Sequence, residues 1–147
     1  MSSHLATVTW RRTTATFDRS YDRNHEWAFD GGVVVPASSA PELSGDPTRV
    51  DPEEAFVASL SSCHMLWFLH LAGDDGWVVD EYVDRAVGTM GRDDAGVTWV
   101  TAVELRPAIT WNGPAPDDAE VADLHHRAHQ RCFIANSVRT EVTVTAL

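Results

Sequence analysis

The chain has 147 residues, about one domain, and 44% of them are hydrophobic, an ordinary share for a soluble protein. Asp and Glu outnumber the basic residues 22 to 11, a net charge of −11. That balance argues against nucleic acid and against a basic membrane-surface role, because both rest on clustered cations. All the basic residues are arginine, so Schiff-base chemistry, including pyridoxal phosphate attachment, is excluded as well.

No basic-then-apolar leader opens the chain, so export is not expected and a cytoplasmic location is. Residues 4–12 and 13–17, rich in Thr, Val and Trp, predict an edge strand or the start of a hairpin. His25 to Pro36 carries Trp27, Phe29 and Val33-Val34-Val35 around Gly31-Gly32, the pattern of strand, turn and strand. Residues 36–50 then form a loop longer than a plain connector needs.

A helix start follows. Asp51 is a capping residue, Pro52 suits the first helical position, and Glu54 completes a capping box. The helix is predicted from Pro52 to about Ala72, ending at Gly73. Phe56, Val57, Leu60, Met65, Leu66, Trp67, Phe68, Leu69 and Leu71 occupy all its sides, so protein must surround it. Its serines and histidines and its acidic flanks argue for burial in protein and against crossing a membrane. A chain this small has too few other elements to cover every face, which points to a second subunit.

Trp77 to Met90 alternates loosely. Val97, Trp99, Thr101, Val103 and Leu105 alternate cleanly with polar or small residues, predicting a half-buried antiparallel strand limited by Pro107. Pro114-Ala-Pro-Asp-Asp opens a second helix from about Asp117 to Arg131, with Val121, Leu124 and Ala128 facing inward. Ser137 to Leu147 is the last strand, with Val138, Val142 and Val144 on one face. Strands and helices without a βαβ rhythm predict an α+β fold in a single domain spanning 1–147.

The chemistry centres on two cysteines, Cys63 and Cys132. Cys63 lies about 16 Å along its helix, beyond reach of the N-terminal dipole, which acts only over the first turn. An unassisted thiol, with a pKa near 8.5, is only a few per cent thiolate at neutral pH, so a reactive Cys63 needs a cation from elsewhere. His64 is a poor donor of that charge, since adjacent helical residues point about 100° apart. Without such a cation Cys63 reads as an inert buried thiol. Near the end of the second helix, His125, His129 and Cys132 share a face, a metal half-site that lacks a second pair unless His64 and Cys63 come across. Histidines there also suit the negative end of the helix dipole.

The string Asp51-Pro-Glu-Glu-Ala-Phe-Val-Ala-Ser-Leu-Ser-Ser-Cys63-His resembles the signature helix of the OsmC/Ohr family of thiol-dependent peroxidases. His129-x-x-Cys132-x-Ile134-x-x-Ser137 resembles that family's second cysteine motif, and the two segments stand in the family's order. Tyr21-Asp-Arg23-Asn-His25-Glu-Trp27-Ala-Phe-Asp-Gly-Gly looks more like an OsmC-like side branch than like the hydroperoxide-resistance members. The resemblance implies an OsmC-like α+β fold, with antiparallel sheets packed around a long central helix in an intertwined homodimer. It implies a two-cysteine peroxidase for organic hydroperoxides, and in second place hydrogen peroxide, that serves in oxidative stress defence without metal or organic cofactor. Cys63 is then the peroxidatic thiol and Cys132 the resolving one, and an external thiol reduces the disulfide between them.

By the same resemblance Glu53 orients an early arginine that assists Cys63. Arg23 is the first choice, although the usual Gly-Gly-Arg context is missing; Arg49 is the second and Arg19 a distant third. Glu53 and Cys63 lie roughly 15 Å apart along one helix, so two antiparallel helices about a two-fold axis would bring Glu53 of one chain near Cys63 of the other. Trp67, Met65 and Phe133 are candidates to line an apolar substrate pocket, and His64 and His25 to meet a polar part of a ligand. Core packing is the plainer role for the aromatics. Two rivals stand beside the peroxidase: a dimer of this fold that binds a small molecule or senses redox state without turnover, and a His/Cys metal protein.

Overall fold

In a computed structural model, which describes residues 2–146, the chain forms an N-terminal unit ending at Ala55 and a C-terminal unit beginning at Phe56. The N-terminal unit holds an antiparallel sheet of β1 (Ala6–Thr9), β2 (His25–Phe29) and β3 (Val34–Ala37), in that order. The Gly31-Gly32 turn is present. Gly32 takes φ +82°, the left-handed conformation that glycine adopts without a steric penalty, and Phe29 N–H reaches the Val33 carbonyl at 2.9 Å.

Residues 13–17, expected to extend a strand, do not. The Asp18 carboxylate accepts from the Ser20 backbone N–H, and the rings of Trp10, Phe17 and Tyr21 lie within 5.8 Å of one another. The segment closes on its own aromatic cluster and finds no strand to pair with. The long loop after β3 contains a 3₁₀ turn, Pro41–Leu43, and is tied back where Ser38 N–H donates to Val50 and Val50 N–H to Pro36.

Helix α1 runs Pro52–Asp74 and begins with the expected capping box: Glu54 N–H donates to Asp51 Oδ1 at 2.7 Å, and Asp51 N–H to Glu54 Oε2 at 3.2 Å. Its end differs from expectation. Gly73 stays helical, and Gly76, at φ +85°, supplies the left-handed residue. Trp77 N–H bonds the Ala72 carbonyl and Gly76 N–H the Gly73 carbonyl, the paired bonds of a Schellman stop.

In the C-terminal unit, β4 (Val79–Asp84) pairs antiparallel with β7 (Pro107–Trp111), and β5 (Val87–Arg92) with β6 (Thr98–Leu105). Pro107 does limit β6, but it also opens β7, a strand not expected from the sequence. A proline lacks only the N–H that the first residue of a strand can forgo. β6 also pairs with β8 (Glu141–Val144), and this pairing is parallel, so that sheet is mixed. Alternation reveals which face is buried, not the direction of a partner. β8 is shorter than the predicted strand because Ala135–Ser137 forms a 3₁₀ turn; Leu147 lies outside the described residues.

Helix α2 (Asp118–Arg131) is capped by Asp117, which exchanges 2.8 Å hydrogen bonds with Glu120. α1 contributes to two apolar clusters. Phe68, Leu71 and Ala72 pack with Leu124 and Ala128 of α2, while Leu60 packs with Val103 and Leu105 of β6. Val138, Val142 and Val144 flank the second cluster, as their shared face predicts.

Candidate functional site

α1 and α2 bring the two cysteines together. Both are free thiols; Cys63 is half-buried in the middle of α1, whereas Cys132, the C-cap of α2, is 1% exposed. The two thiols are neighbours, near enough for Cys63 to raise the titration of Cys132. Burial pushes the Cys132 thiol up to about 11, and the adjacent Cys63 adds to the rise. The Ala135 backbone N–H, 3.4 Å from the Cys132 sulfur, opposes it. Cys132 is therefore a protonated thiol at neutral pH, with a second free thiol beside it.

Beside this pair lies a buried imidazole pair. His64 Nε2 and His125 Nδ1 are 3.0 Å apart, with the rings nearly parallel and 1% and 5% exposed. Phe68 covers His125 at 4.4 Å between centroids. Burial lowers both to about 4, and His64 is held down further by the proximity of His125 and His129. Two neutral rings sharing one hydrogen is the arrangement that low dielectric favours, since a charged ring would lose its hydration. His64 Nδ1, His125 Nε2 and His129 Nδ1 are buried without partners. The α1 residues thus do come across to the α2 face, as a thiol pair and an imidazole pair. No group of three or more His, Cys, Asp or Glu among the described residues is arranged to hold a metal.

Trp67 lies one turn beyond Cys63 on α1, where its ring meets Phe133 edge-on at 5.7 Å and the Arg131 guanidinium at 5.6 Å. Phe133 is 69% exposed. Met65 is half-buried on the same helix.

The remaining candidates belong to the N-terminal unit. Arg23 curls onto the backbone carbonyls of Tyr21 and Arg19 and lies 4.1 Å over the Tyr21 ring. Arg49 pairs with Asp46 at 3.6 Å and donates to the His25 carbonyl. His25 has both ring nitrogens occupied: Nδ1 meets the Arg23 carbonyl at 2.8 Å, and Nε2 accepts from Trp27 Nε1 at 2.9 Å. Glu53 is half-buried in the first turn of α1.

A family model described as OsmC-like protein matches residues 45–146. The chain belongs to the OsmC-like family. It is 46% identical to an OsmC-like protein of unknown function from Vibrio cholerae, over 100% of both chains, with a TM-score of 0.96. An organic hydroperoxide resistance protein from Elizabethkingia anophelis, crystallised with thiocyanate, shares the fold at 24% identity, over 99% of this chain and 96% of that one, with a TM-score of 0.77. The organic hydroperoxide resistance protein OhrB of Bacillus subtilis does so at 17% identity, over 99% and 98%, with a TM-score of 0.73. No curated protein matches in sequence.

In this OsmC-like protein two site features were not assigned from the sequence. The His64–His125 bond spans 61 residues, and its only sequence trace was the His125, His129 and Cys132 spacing that read as half a metal site. The place of Arg131 over Trp67 had no trace, because a cation at the end of a helix already has a dipole role.

Proposed function

We propose that this OsmC-like protein is a two-cysteine peroxidase that reduces organic hydroperoxides in the cytoplasm and draws its electrons from an external thiol. The observation that carries the reading is the adjacency of a half-buried and a buried free thiol, Cys63 and Cys132, joined across α1 and α2. The membership of hydroperoxide resistance proteins in the same fold supports it.

In the reaction the Cys63 thiolate attacks the distal oxygen of the hydroperoxide. An S–O bond forms as the O–O bond breaks, and the departing alkoxide takes a proton to leave as alcohol. The Cys132 thiol then attacks the sulfenic sulfur. Its proton leaves with the hydroxyl as water, and a disulfide closes that two equivalents of external thiol reopen. Trp67, Met65 and Phe133 offer an apolar flank to the organic group. His64, bonded to His125, is the candidate contact for a polar part of the substrate, whereas His25 could serve only by giving up one of its two ring hydrogen bonds.

The functional unit we propose is a homodimer. Only 28% of the most apolar stretch of α1 is buried, and Ala58, Ser62 and Leu66 leave an exposed stripe along it. In that dimer Glu53 of one chain orients Arg23, or in second place Arg49, toward Cys63 of the other. Sedimentation as a monomer at micromolar concentration removes this composite site.

Stopped-flow with cumene hydroperoxide, followed by intact-mass spectrometry, tests the activity. Rapid loss of two hydrogens is expected as the Cys63–Cys132 bond forms. Cys63→Ser should abolish peroxide consumption, and Cys132→Ser should stop at a sulfenic or over-oxidised thiol. Oxidation no faster than that of free cysteine sinks the peroxidase and leaves the binding or redox-sensing dimer.

A further inference from the structure

We propose that the cleft between α2 and the strands β7 and β8 is a binding site separate from the thiols, for a small uncharged aromatic compound that carries a hydroxyl group. The cleft lies within the C-terminal unit, and neither Cys63 nor Cys132 lines it. The inference goes beyond the peroxidase reading and does not depend on it.

The periods of the three elements build the walls. Val121, His125 and His129 recur every four residues along one face of α2. Ile109 and Trp111 stand two apart on β7, as do Val142 and Val144 on β8, so each strand turns one apolar face to the space. The volume is about 810 Å³, within the range of clefts that hold small organic molecules.

Open hydrogen-bonding valence in that wall is the second observation. The His125 ring, 5% exposed, spends Nδ1 on His64 Nε2 at 3.0 Å. Its Nε2, on the far side of the ring from His64, is buried without a partner, and so is His129 Nδ1 one turn on. Buried polar atoms are nearly always partnered, so two orphans in the wall of one cleft mark where a ligand's polar group belongs.

The chemistry of that group follows from the histidine pair. Burial holds both rings neutral, and they share one hydrogen. His125 Nε2 therefore accepts when His125 donates to His64, and donates when His64 donates to it. A hydroxyl group meets either state, since it both donates and accepts. A carboxylate only accepts; no arginine among the described residues lines the cleft to hold its charge, and the exposed Asp118 repels it. A protonated amine only donates. The valines ask for an apolar body, and the Trp111 indole for an aromatic one.

The test is a fluorine NMR titration of the reduced full-length protein with para-fluorophenol at neutral pH, where the phenol is uncharged. Saturable binding is expected, about fivefold tighter than for fluorobenzene, which lacks the hydroxyl, and tighter than for para-fluorobenzoate. In protein with isotope-labelled histidine, the His125 Nε2 resonance should move on saturation. Val121→Trp should fill the cleft and abolish binding while peroxide consumption is unchanged. His125→Phe should lose the preference over fluorobenzene, and Trp67→Leu should leave binding in place. Absence of saturable binding by wild type overturns the inference and means that water or a second copy of the chain covers the cleft. Equal affinity for fluorobenzene, tighter binding of para-fluorobenzoate, or a loss in Trp67→Leu without one in Val121→Trp overturns it too. The titration uses no peroxide, so a protein that binds the phenol here but does not consume cumene hydroperoxide loses the peroxidase reading and keeps this one.

Discussion

The candidate site side chains of the two units are held in opposite ways. In the N-terminal unit Arg23, Arg49 and His25 bond to groups in their own or neighbouring loops, and His25 has no free ring nitrogen. In the C-terminal unit His64, His125 and Cys132 are buried by residues distant in sequence, and three imidazole nitrogens there have no partner. A polar group whose bonds are closed locally gains order and little else. A buried one with open valence is held at a cost in desolvation, and such costs persist where packing over-determines the site. The contrast supports the proposed placement of the chemistry on the α1–α2 face.

Acid should break the contrast most visibly. Unfolded imidazoles take up protons near pH 6.5, whereas His64 and His125 resist protonation down to about 4. Between those values the unfolded state binds more protons, so stability rises with pH and is lost as pH falls through the window. The loss should be on the order of 3 kcal/mol per imidazole, measured by urea denaturation at pH 7.5 and 4.5. The His64→Leu/His125→Leu double variant should flatten the dependence. If wild type and double variant lose stability in parallel, the histidine pair is not neutral in the folded protein.

A smaller effect sharpens the comparison. His125→Phe leaves His64 Nε2 buried and unpaired, so it should cost about 1–3 kcal/mol at pH 7.5. Replacing both partners should recover part of that loss, because no orphaned nitrogen remains. The smallest effect belongs to the N-terminal unit. Arg23→Gln removes contacts on an exposed loop and should change urea stability by no more than about 1 kcal/mol. A larger loss from Arg23→Gln than from His125→Phe would reverse the ranking of the two units.

Where the fold was legible, the signals were short-range. The capping box at Asp51 is closed by a residue three positions away, and the Gly31-Gly32 turn by its immediate neighbours. The signal failed where a partner lay far off. Pro107 read as a stop, and opening β7 required β4 to be waiting; the parallel pairing of β8 with β6 leaves no mark in either strand. Gly73 read as a helix end because glycine is common there, but the left-handed turn fell at Gly76. In the candidate site, the motifs around Cys63 and Cys132 singled out the thiols but not the company they keep.

By itself the sequence determined the capped helices, the hairpin, the family and the two thiols worth following, since each is written in residues that act on near neighbours or in a recognisable string. Only tertiary structure decided that His64 stacks on His125, that Cys132 is buried while Cys63 is reachable, and that Arg131 rests on Trp67. Those relations depend on closing long loops between α1 and α2, and side-chain burial after closure, not residue type, sets which groups stay neutral and which remain free to react.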